Sequence, residues 1–154
     1  MKHLIALFSV MALAISTLVI SAPGVDASEG YGKQKVVYHI NYVGGDKDKK
    51  YQGALRNIQN HINAVGAENL ELKVVLHGNG VGLLKSAKDN QKLQSAVTSL
   101  KTQNVSFHVC KNTLRGRKIS YENDLFEVFE DDIVASGVAE LSHLQQQGYT
   151  YIKP

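Results

Sequence analysis

The chain has no tryptophan, one cysteine and two prolines in 154 residues. A single thiol excludes a disulfide framework within the chain. Two prolines exclude a Pro-rich linker, and thirteen glycines without a period exclude a collagen-like rod. The formal charge is only +3, too weak a surplus to argue for nucleic acid. No Ser-His-Asp arrangement and no pair of carboxylates at catalytic spacing stands out. What is present is ordinary for one globular domain: 44% hydrophobic and 20% charged residues.

The first 27 residues differ from the rest. Lys2 and His3 open the chain, and Leu4 to Ile20 is an almost unbroken apolar run of about 17 residues. Val25-Asp26-Ala27 then puts small residues at the −3 and −1 places of a signal-peptidase site. A positive start, an apolar stretch and a small-residue exit describe a secretory signal peptide over residues 1–27. A cut after Ala22 would put Pro23 at +1, which peptidases handle badly. An uncleaved anchor is the alternative, with a run at the short end of the spanning range. Cleavage after Ala27 predicts a periplasmic or secreted protein, off the membrane, with Cys110 in an oxidising compartment. Residues 28–32 are expected as a flexible tail, and residues 33–154 as the folded domain.

That domain alternates strand and helix patterns. Val36 to Tyr42, Leu70 to His77 and Val105 to Cys110 are β-branched and aromatic runs. Between the first two, Ala54, Leu55, Ile58, Ile62 and Val65 recur at helical spacing before Gly66. Leu93, Val97 and Leu100 mark a second helix, with Ser86 and Asp89 at capping-box spacing. A helical turn is expected near Thr113 to Arg117 and a weaker helix over Asp124 to Glu130. Ile133 to Ala135 is expected as a short buried fourth strand, Val138, Leu141 and Leu144 mark a last helix, and Tyr149 to Ile152 a fifth strand. The alternation predicts βαβ units: an α/β three-layer sandwich on a mainly parallel five-stranded sheet.

Ligands of open α/β sheets bind beyond the carboxyl ends of the strands. His39, His77, His108 and Cys110 all fall there. His108 and Cys110 are two apart, so on a strand they share a face. Cys110 is followed by Lys111, Arg115, Arg117 and Lys118, and a helix N-terminus just after the strand would add partial positive charge; both favour thiolate over thiol. Burial in apolar packing would instead leave the thiol inert. Gly78-Asn79-Gly80-Val81-Gly82 lacks the pattern of a dinucleotide or phosphate loop, so no cofactor is expected. Its amides are candidates to hold a small anion. The three histidines and Cys110 offer metal-ligating atoms, but their spacing is not local, and no metal is assigned. His61 and His143 fall on helices and are expected to be solvated.

Three segments carry a resemblance. Phe107-His108-Val109-Cys110-Lys111-Asn112-Thr113-Leu114-Arg115-Gly116-Arg117 resembles the cysteine segment of the DsrE/TusD sulfur-relay family, where a strand ends in a cysteine and runs into a short helix. Leu76 to Val81 resembles that family's second-strand turn. Ser136 to Leu141, with Gly148-Tyr149, resembles exported DsrE-like proteins. The likeness implies a flavodoxin-like fold, homo-oligomers such as trimers or hexamers, and sulfane sulfur carried as a persulfide on Cys110. His108 and His77 are then candidates for proton exchange. His39, Gly78, Asn79, Gly80, Asn112 and Thr113 are candidates for ligand binding. A sulfur donor or acceptor protein is the implied partner. The alternative is a non-catalytic oligomeric module binding a metal or small anion at the strand ends. Phe126, Val128 and Phe129 add more apolar surface than one short helix need bury, as an oligomer would require.

Overall fold

The computed structural model describes residues 30–154. The expected signal peptide, residues 1–27, and the first two residues of the tail lie outside them. Tyr31, in the rest of the tail, is exposed.

The β-branched runs become five strands: β1 (Gln34–Ile40), β2 (Leu70–Leu76), β3 (Ser106–Cys110), β4 (Ile133–Val134) and β5 (Thr150–Ile152). All pair in parallel, in the order β4-β3-β2-β1-β5. The connections β1→β2→β3→β4 all step in one direction across the sheet. Right-handed crossovers therefore put their helices on one face. These are α1 (Lys49–Val65), α2 (Gly82–Ser86), α3 (Gln91–Thr102), α4 (Lys111–Arg117) and α5 (Tyr121–Asp124). The last connection runs back from β4 at one edge to β5 at the other. Its helix, α6 (Gly137–Gln146), crosses the opposite face alone.

The helix-rich face is the main core. Val36, Tyr38 and Ile40 of β1, Leu72, Val74 and Leu76 of β2, and Phe107 and Val109 of β3 pack on Leu55, Ile58, Leu84, Leu93 and Val97. The α6 face has a far smaller apolar cluster: Val37, Val75, Leu141, Leu144 and Tyr149. The remaining inward positions on that side are polar.

Three local expectations need correction. Strand β4 is half-buried rather than buried and ends at Val134, because it is an edge strand paired with β3 alone. Helix α3 is capped by Asn90, not by a Ser86/Asp89 box. The Asn90 side chain accepts from the N–H groups of Lys92 and Leu93 at 3.1 and 3.4 Å. Ser86 closes α2 and donates to Asp48 Oδ1 at 3.2 Å. The helix expected over Asp124 to Glu130 stops at Asp124. Leu125 and Val128 are buried at helical spacing, but the chain between them is irregular. Glu127 takes a positive φ of 49° and Phe126 N–H donates to Leu84 O at 3.0 Å. A tertiary backbone bond has replaced the local ladder.

Candidate functional site

Adjacent strands whose connections leave on opposite faces open a crevice at their carboxyl ends. Here those strands are β3 and β4. From β3 the chain enters α4 on the core face, and from β4 it enters α6 on the other. Cys110 and Gly137 stand on the two sides of that crevice. Cys110 is the N-cap residue of α4, next to the first-turn N–H groups of Asn112 and Thr113. Gly137 is the first residue of α6, whose N-cap, Ser136, accepts from Ala139 N–H at 3.4 Å.

The thiol is buried, at 5% exposure. Burial pushes its pKa up. Against that act the Gly137 N–H, the hydroxyl and N–H of Thr113 and the Asn112 N–H, and the net result lies below the ordinary thiol value. Thr113 Oγ1 accepts from Gly78 N–H at 2.9 Å, so its own proton is free for the sulfur. Of the two expected sources, the helix N-terminus contributes, through the α4 first-turn N–H groups, and the basic run does not. Lys111, Arg115, Arg117 and Lys118 are all exposed, and the groups that favour the thiolate are neutral hydrogen-bond donors. Arg117 reaches instead to Asn79 Oδ1 at 2.8 Å, and Arg115 to Asn112 Oδ1 at 3.2 Å.

The histidines share the α6 face but form two groups. His39, Val75 and His108 lie level across β1, β2 and β3. Two strand spacings, about 10 Å, therefore separate His39 from His108. His108 Nδ1–H donates to Glu140 Oε1 at 2.9 Å. Burial lowers its pKa, opposed by Glu140 and aided by Lys73. His39 Nε2 meets His77 Nε2 at 2.7 Å, and His39 Nδ1 meets Tyr151 Oη at 2.6 Å. His39 is 7% exposed. Burial, the neighbouring His77 and Lys153 bring its pKa down to about 4. Burial and Lys153 lower His77 as well. Both rings are therefore neutral near pH 7, and one proton lies between them.

His77 belongs to both parts of the site. Leu76 pairs with Val109, so His77 and Cys110 come next, side by side at the ends of β2 and β3. Gly137 fits closely over them. A Cβ added there would lie 2.8 Å from His77 Cβ. Only glycine lets α6 approach near enough to aim its first N–H at the sulfur.

The glycine turn plays a different part from the expected one. Gly80 N–H donates to His77 O at 2.9 Å and Gly78 N–H to Thr113 Oγ1. A Cβ on Gly80 would lie 1.8 Å from Ile40 O, so this glycine serves a close backbone approach. Asn79 and Asn112 are exposed at the rim, Asn79 held by Arg117. His61 is not solvated as expected: Tyr38 Oη donates to its Nδ1 at 3.0 Å, and its Nε2–H donates to Gln34 Oε1 at 2.9 Å. His143 is exposed. Among the described residues, no group of three or more His, Cys, Asp or Glu is placed to hold a metal ion. Among them, too, no helix is long and apolar enough to cross a membrane. Gly137 and Tyr151 were missed in the sequence. Their only signal was position, each following a strand end or lying on the last strand.

Residues 40–154 match the model of the DsrE/DsrF-like family. A protein of unknown function from Methanobacterium thermoautotrophicum, MTH1491, superposes with a TM-score of 0.65 at 29% identity, covering 79% of this chain and 100% of its own. The ychN protein of E. coli superposes with a TM-score of 0.60 at 21% identity, covering 79% of this chain and 99% of its own. No curated protein matches the sequence.

Proposed function

The chain belongs to the DsrE/DsrF-like family, and from that premise we propose that it is a sulfur carrier or sulfurtransferase holding sulfane sulfur as a persulfide on Cys110. The observation that carries the reading is the thiol's setting. The one cysteine is buried, yet donors from the starts of α4 and α6 surround it and favour its anion. A sealed structural cysteine needs no such donors.

In the proposed step the Cys110 thiolate attacks the outer sulfur of a sulfane donor. A new S–S bond forms at Cys110 and the donor's S–S bond breaks. The departing thiolate takes up a proton, and no net oxidation occurs. The reverse attack by an acceptor thiol releases the sulfur. His77, beside Cys110, exchanges the proton; His108, engaged by Glu140, is the second candidate. Export and a homo-oligomer, trimer or hexamer, belong to the same proposal. Their support is the leader composition and the exposure of Phe129 and Val138, 66% and 65%. A light-scattering mass of one chain would remove the oligomer.

Mass spectrometry tests the chemistry. After incubation with a sulfane donor the protein should gain one sulfur atom, lost again on reduction. Cys110→Ser should abolish the gain and keep the fold. No gain, with labelling of Cys110 only on unfolding, would overturn the reading.

A further inference from the structure

Next to the thiol lies an open cleft of about 740 Å³. Its floor is His39, His77 and Tyr151, and its α6 wall includes Val138, Leu141 and Gln145. The volume is in the range that takes a small organic molecule. Its chemistry is one-sided. No carboxylate lines it. The nearest acid of α6, Glu140, is engaged by His108. Lys153, just past β5, bears electrostatically on both His39 and His77. His77 Nδ1 makes no hydrogen bond among the described residues, while its Nε2 is tied to His39. The cleft thus offers a spare imidazole nitrogen and side-chain amides around an apolar patch, with the positive field of Lys153, outside its lining, reaching both histidines of the floor.

We propose that this cleft binds the carboxylate-bearing body of a small organic thiol compound, placing its sulfur toward Cys110 past His77. The inference rests on the sulfur-carrier reading for the role of that ligand, but not for its binding. Anions are preferred because Lys153 and the two imidazoles gain from a negative charge and nothing in the wall repels it. A tripeptide-sized acid fills such a cleft, and a bare inorganic oxyanion does not. Binding is tied to pH through the histidine pair. Unliganded, both rings are held neutral. A bound carboxylate favours protonation of the pair, so affinity rises as the solution becomes more acid. The groups facing the pair are Tyr151 and Lys153 from the β5 end and Cys110 from β3. Helix α6 contributes Ser142, Gln145 and Gln146, none of which titrates.

The test uses Cys110→Ser protein, so that no sulfur chemistry intervenes, and S-methylglutathione as the probe. The ring-proton NMR signals of His39 and His77 report binding. They should shift and saturate, with an affinity several-fold higher at pH 6 than at pH 8. The dimethyl ester of the probe should bind at least about tenfold more weakly, the loss expected for ionic contacts worth about 1.4 kcal/mol. Lys153→Gln, at an exposed position, should weaken the acid several-fold and leave the ester unchanged. Ring signals unmoved up to about 20 mM probe, beyond the millimolar range of weak contacts, would overturn the proposal. So would equal binding of acid and ester, or shifts produced by thiosulfate alone. Saturable binding with no persulfide on the unmutated protein would keep the cleft and remove the sulfur reading. Persulfide formation with no binding would do the reverse.

Discussion

The two faces of the sheet are built from alternate residues of the same strands, yet they differ in kind. On one face Tyr38, Ile40, Val74, Leu76, Phe107 and Val109 meet a layer built from α1, α2, α3 and α4 and the segment around Leu125 and Val128. On the other, His39, Val75, His77, His108 and Cys110 meet one ten-residue helix. Each buried polar group there has a partner, and among the described residues no buried side-chain nitrogen or oxygen is left without one. A period of two lets one strand supply stability on one side and chemistry on the other. The difference follows from connectivity: three connections share one face and a single return crosses the opposite one.

This division has measurable consequences. The largest concerns the core face. Phe107→Ala, at a residue 1% exposed, should cost about 3–5 kcal/mol of stability. Urea unfolding measures it. In the folded population the labelling rate of Cys110 should stay unchanged, although Phe107 is only three residues away. A changed rate would break the separation of the two faces.

The next concerns acid. His39 binds a proton near pH 6.5 when unfolded and near 4 when folded. Between those values the unfolded chain holds more protons, so stability is full above about pH 6.5 and declines as pH falls toward 4. This one group accounts for up to about 3 kcal/mol, at about 1.4 kcal/mol for each unit. Unfolding midpoints across that range should therefore drop steeply, and His39→Gln should flatten the slope by up to one proton. An unchanged slope in the variant would place the acid sensitivity elsewhere.

The smallest effect sharpens the comparison within the α6 face. Thr113→Val removes a donor to the sulfur and the acceptor of Gly78 N–H. It should cost about 1 kcal/mol in stability. The thiol pKa should rise, so iodoacetamide labelling near pH 7 should slow several-fold. A stability loss without a slower reaction would make Thr113 structural only.

Much of this was legible in the sequence. The strand runs, the helical spacing of α1 and α3, and the place of Cys110 at a strand end follow from local periodicity, which core burial enforces. What stayed illegible depends on packing between distant segments. Gly137 as a donor to the thiol requires knowing that α6 starts beside β3. The His39–Tyr151 bond requires knowing that β5 returns to the free edge of β1. The basic run after Cys110 misled because charge can be counted in a sequence, while the direction of a side chain cannot. Leu125 and Val128 misled in the same way: their spacing fits a helix, but the bond from Phe126 to Leu84 decides the backbone.

The return of the chain to β1 also has a bearing on timing. His39 and Tyr151 are 112 positions apart, and β5 is held to β1 by only three residue pairs. Closing so long a loop carries an entropic cost that local helix–strand contacts avoid, so distant pairings form late. The successive β1–β4 units can collapse as neighbours while the outer edge of β1 waits open. The histidine pair gains its tyrosine, and α6 its final seat over Cys110, only when β5 docks. Refolding should therefore restore the core before it restores the thiol's surroundings, and a half-folded chain carries a stable sheet with no working site.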